Sequence, residues 1–145
     1  MLCLGVWAGK IGGAGRWQLP LTFMLIMAVS AVSGMTLLTA AALETGIAAS
    51  VIAMGLLLAM SLSVNRATQF GLAGLFAILH GLAHGAELDL AGGMSVIYGM
   101  VLATGLLHAA GLLVAAQSLK ISHKLHALVG WLVVVAGGFM LLAAT

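Results

Sequence analysis

Every lysine, arginine, aspartate and glutamate of this chain falls in a short break between long apolar runs. The runs cover residues 17–38, 45–64, 67–86, 92–117 and 127–144. Roughly 20 consecutive apolar residues let a helix cross the hydrocarbon core of a bilayer. The expected fold is therefore all-α: a polytopic transmembrane helix bundle with five full spans. Residues 1–9 are apolar but too short to span, and read as the last turns of a helix that begins upstream. None of the breaks can hold a domain, so residues 1–145 form a single transmembrane domain lying in a lipid bilayer. Pro20 falls near the start of its run, where a missing N–H costs little.

Composition removes the competing classes. Charged residues make up 6% of the chain, against about 25% in a soluble domain. Such a chain cannot coat a water-exposed surface, and it is the opposite of a disordered segment, which is poor in apolar residues and rich in charge. The net charge of +2 comes from five cations and three acids. Cations so scattered make no nucleic-acid patch. The single cysteine, Cys3, excludes an intramolecular disulfide.

The charges instead mark topology. Lys10 and Arg16, then Arg66, then Lys120 and Lys124 occupy alternate breaks; Glu44, Glu87 and Asp89 occupy the others. All cations lie on one side, and the positive-inside rule places that side in the cytoplasm. The acids and the C-terminus then face the periplasm or exterior. Trp7, Trp17, Trp131 and Tyr98 suit interfacial belts. The 20 glycines suit close helix packing through small faces; the pairs Gly71/Gly74, Gly81/Gly85 and Gly105/Gly111 all fall inside runs.

Polar side chains inside a span are costly and turn toward the bundle interior or a cavity. His80, His84 and Glu87 stand at i, i+4 and i+7, within about 60° of arc on one helix face. Two imidazoles and a carboxylate on one stripe suit a divalent transition metal. His108 lies deep in its run and admits two readings, a buried neutral imidazole satisfied by a neighbour or a ligand along a pathway. Glu44 reads as a helix-start acid stabilised by the dipole, or as a ligand at the mouth of a route. His123 and His126, beside Lys120 and Lys124, read as solvated, and Asp89 as a loop acid. Most of the nine methionines read as packing residues, while Met24, Met27 and Met35 share one helix and could offer soft ligands. There is no phosphate-binding loop, no Gly-x-Ser-x-Gly elbow and no His-Glu-x-x-His motif. Nothing marks an enzyme.

The stretch Leu79-His80-Gly81-Leu82-Ala83-His84-Gly85-Ala86-Glu87 resembles the HGxAHGxE signature of the HupE/UreJ accessory permeases. Leu43-Glu44-Thr45-Gly46-Ile47-Ala48 is similar to that family's E-x-G-I segment, and Leu106-Leu107-His108-Ala109-Ala110-Gly111 to its LLHxxG segment. Gly5-Val6-Trp7-Ala8 with Gly12-Gly13 resembles the end of its first helix and the following loop. The resemblance covers essentially the whole chain. It implies a six-helix permease of the bacterial inner membrane that supplies nickel or cobalt to hydrogenase or urease. On that reading the ion is cargo, not a tightly bound cofactor. The metal residues it carries over are His80, His84 and Glu87, with Glu44 and His108 as further members. The family's HPxxGxDHxxxM motif is not among these residues. The resemblance thus implies an N-terminally truncated first helix, with that motif and a signal peptide encoded upstream of Met1.

Two further readings stay open. One is a membrane subunit that binds metal or haem without transport, for instance haem between His84 and His108. The run boundaries place those two at different depths, against the need of bis-histidine ligation for equal depth. The other is a non-functional permease remnant. No sequence feature sets an oligomeric state.

Overall fold

The computed structural model describes residues 1–37, 40–87, 93–118 and 123–144. They form six helices: α1 Leu2–Ile11, α2 Gly15–Leu37, α3 Ala40–Ala59, α4 Arg66–Glu87, α5 Gly93–Ser118 and α6 His123–Ala143. The all-α membrane bundle expected from the sequence is what forms.

Local chemistry explains the breaks. Between α1 and α2 the chain turns at Gly12 and Gly13, with φ of 72° and 53°; two successive left-handed residues require glycine. At the end of α3, Leu62 N–H donates to the Leu57 carbonyl and Ser61 N–H to the Leu58 carbonyl. This is a Schellman closure with Ser61, at φ 49°, in the position glycine usually fills. Asn65 then starts α4 as its N-cap: Oδ1 accepts from the Thr68 N–H at 2.9 Å and from the Thr68 hydroxyl at 3.0 Å.

Packing fixes helix directions. A Cβ on Gly81 would strike Met27 and Ser30, and one on Gly74 would touch Ile26, while Arg66 hydrogen-bonds Gln18. Helices α2 and α4 therefore run parallel. Gly5 lies on His108 and Gly9 on Ala115, so α1 and α5 are also parallel. Ile52 meets Gly137 and Ala59 meets Gly130, so α3 and α6 are antiparallel. Helix directions alternate through the bundle. Lys10, Arg16, Arg66 and Lys124 gather at one end, where Lys10 Nζ donates to Ser61 Oγ at 3.1 Å. Glu44 lies at the other end, because Gly46, two residues on, packs against Leu79 of α4.

Several expectations change. By length and composition three helices among the described residues are fit to cross a membrane, Gly15–Ser33, Met94–Gln117 and His126–Ala143, rather than five. In α4, Arg66, Gln69, His80, His84 and Glu87 dilute the apolar content. Helix α2 begins two residues before its apolar run, so Pro20 lies inside the helix, past the first turn. Trp7 is no interfacial residue: it is 3% exposed in the core, whereas Trp17 and Tyr98 are exposed near helix ends. Trp131 is exposed, but well inside α6. His126 and Lys124 belong to the first turn of α6, not to a loop. Asp89, Lys120 and the side chains of Met35 and His123 lie outside the described residues.

Candidate metal pathway

The HGxAHGxE stretch forms the last two turns of α4. Gly81 lets α2 approach this turn at backbone distance: a Cβ there would lie 2.6 Å from Ser30 Cβ. That approach brings Phe23, on the preceding turns of α2, against His80. The two rings meet edge to face at 5.9 Å.

His80 is held in one orientation. Its Nδ1 lies 2.9 Å from the Phe76 carbonyl oxygen. A carbonyl can only accept, so Nδ1 carries the proton and Nε2 keeps the lone pair. An imidazole in that tautomer is a metal ligand through Nε2. His80 lines a cleft of about 280 Å³. Cys3, Ser50, Met54 and Phe76 also line it.

His84, one turn on, lines a different cleft. This one is about 640 Å³ and runs along α5 past Met100, Thr104 and Leu107. Met1 lines both clefts. The two imidazoles thus share a stripe of α4, as the spacing requires, but line different clefts.

His108 is 2% exposed, and neither ring nitrogen has a hydrogen-bond partner among the described residues. Its ring stands edge to face with Phe23 at 5.3 Å. Its backbone is covered by Gly5, where a Cβ would collide with the His108 carbonyl. Phe23, itself 2% exposed, therefore sits between His80 and His108. Of the two sequence readings of His108, the satisfied imidazole is not what forms. One turn before it, the Thr104 hydroxyl faces Met27 Sδ at 3.8 Å, so Met27 is a packing residue.

Glu44 is exposed in the second turn of α3, which begins at Ala40. It does not cap that helix. The side chain of Glu87 lies outside the described residues. Among the described residues no group of three or more His, Cys, Asp or Glu is placed to hold a metal ion.

Sequence reading missed Phe23, Cys3 and Met54. Each matters only through a neighbour on another helix, and no spacing within one helix signals that. Cys3 carried the only available hint, a soft ligand in an apolar segment.

An apolar bundle of alternating helices defines a polytopic membrane protein. Comparison with known proteins narrows this. The family model described as HupE / UreJ protein matches residues 1–141. The chain belongs to the HupE/UreJ family. Protein HupE of Rhizobium leguminosarum bv. viciae is 34% identical over 88 residues, covering 61% of this chain and 46% of that protein. The chain matches less than half the length of that relative. No solved structure matches.

Proposed function

We propose that the protein is a secondary permease for a divalent transition metal, Ni²⁺ or Co²⁺, in the bacterial inner membrane, and that it supplies hydrogenase or urease. The carrying observation is His80, a fixed imidazole whose free Nε2 lone pair belongs to a residue lining a cleft in a membrane bundle. Imidazole binds both ions well. His84, Glu87 and Glu44 complete the entry side, and His108 lies deeper. A few imidazole and carboxylate donors capture an ion while leaving it free to depart. A dense carboxylate cage would retain it.

The test is radioactive nickel and cobalt uptake in cells with matched amounts of each variant. His80→Ala and His84→Ala are expected to remove most uptake while the protein still inserts, since alanine suits a helix interior. His123→Ala is expected to change little. Normal uptake by both α4 variants would end the assignment.

The proposed orientation puts the Lys/Arg end in the cytoplasm and the C-terminus in the periplasm. The reason is the gathering of Lys10, Arg16, Arg66 and Lys124 at one end of the bundle. A C-terminal reporter active only in the cytoplasm should stay silent, and a strong signal would reverse the orientation.

A further inference from the structure

The His80 cleft has a counterpart at the cationic end. A second cleft, about 330 Å³, is lined by Trp7, Lys10, Leu57, Ser61, Ser63 and Gln69, among others. The two clefts lie on the same helices. Leu4 and Met54 line the first; Trp7 and Leu57, one turn further along α1 and α3, line the second. These three-residue steps, a little under one turn, are about 4.5 Å of helix axis. On α4, Phe76 lines the first cleft and Gln69 the second, with fully buried Ala73 between them. The clefts therefore approach each other end to end along one line through the bundle. What separates them is an apolar septum, about one turn deep on α1 and α3 and about two turns deep on α4.

We propose that Trp7 and Leu57 form the gate between these clefts, and that an ion captured beside His80 reaches the cationic end through it. This rests on the permease reading above. Trp7 is 3% exposed and Leu57 7%, so the indole and the isobutyl group are packed in the core on the second cleft's side of the septum. Neither offers a ligand to a hydrated ion, so the closed state blocks it. The clefts differ in what they give a cation. The first has an imidazole, a thiol, two thioethers and one hydroxyl; the second has the Lys10 ammonium, two hydroxyls and an amide. An ion passing the septum leaves its ligands and meets a like charge, so it does not lodge in the second cleft. The gate also has a means of opening. Helix α1 is docked on α5 through Gly5 and Gly111 and joined to α2 through Gly12 and Gly13, so α1 can part from α3 without breaking a long helix.

The single native cysteine makes the test direct. Cys3 lies in the first cleft, and Ser61→Cys in a Cys3→Ala background places the only thiol in the second. The full chain, reconstituted with known orientation in lipid vesicles, is treated from one side at a time with a charged, membrane-impermeant thiol reagent. Cys3 should react from the acidic-end side alone, and Ser61→Cys from the cationic-end side alone. Adding Leu57→Ala or Trp7→Ala should raise the reaction of Ser61→Cys from the acidic-end side roughly tenfold or more, the effect of lowering a barrier by about 1.4 kcal/mol. Leu57→Ala leaves α1 whole and keeps the test readable if Trp7→Ala fails to fold. Equal reaction from both sides without the truncations, or no gain with either, overturns the gate. Labelling requires no transported ion, so the two readings fail separately. One-sided labelling that the truncations relieve, in a protein that takes up no nickel, removes transport and keeps the septum. Nickel uptake with two-sided labelling removes the septum alone.

Discussion

Gly81→Ala should destabilise the bundle by about 1–3 kcal/mol or more, the usual cost of forcing an extra methyl group into a packed interior. The added Cβ would collide with the Met27 carbonyl and lie 2.6 Å from Ser30 Cβ. Backbone atoms cannot rotate aside as a flexible side chain can, so α2 and α4 must separate. Gly71 is the control on the same helix: a Cβ there meets nothing within 4 Å. Gly71→Ala should be neutral or stabilising by up to about 1 kcal/mol, because alanine loses less backbone entropy in a helix than glycine. Thermal unfolding in a mild detergent, read for both variants, gives the sign of each. Equal effects would mean that α2 and α4 do not pack as described. Because Phe23 reaches His80 only through this approach, Gly81→Ala should also lower metal uptake by whatever folded protein remains.

The contrast between these glycines shows where sequence reading stops. The alternation of cations and acids among the breaks was enough to give six alternating helices, because each apolar run must cross or lie within the same slab. The stripe of His80 and His84 followed from helical periodicity alone. Depth and partner choice did not follow. Gly71 and Gly81 look alike in the sequence, yet one faces open space and the other a backbone. Trp7 has the composition of a belt residue, but α1 is clasped between α5 and α2, and the indole turns inward. Glu44 stands at the edge of its apolar run, where a cap belongs; α3 starts four residues earlier because Ala40 to Leu43 continue the helix at no cost. In the site, the shared stripe was legible, but the two different clefts that the imidazoles line were not. Met1, which lines both, comes from some 80 residues away, and no local pattern encodes that.

His108→Leu should make the protein more stable and less active. A buried imidazole with no partner at either nitrogen among the described residues leaves both a donor and an acceptor dry, at a cost of about 1–3 kcal/mol for each such group. Leucine fills a comparable volume and removes that cost. It gives up the edge-to-face contact with Phe23, worth about 0.5–1.5 kcal/mol, so the balance still favours leucine. A residue kept in spite of its cost is the mark of a site where stability has been exchanged for function. On the permease reading, nickel uptake should fall severalfold while the unfolding temperature rises. His108→Gln keeps a polar group without the imidazole ligand and should recover neither the stability nor the uptake. If leucine lowers the unfolding temperature and uptake stays normal, His108 is a structural residue whose nitrogens are satisfied in the membrane, and it leaves the pathway.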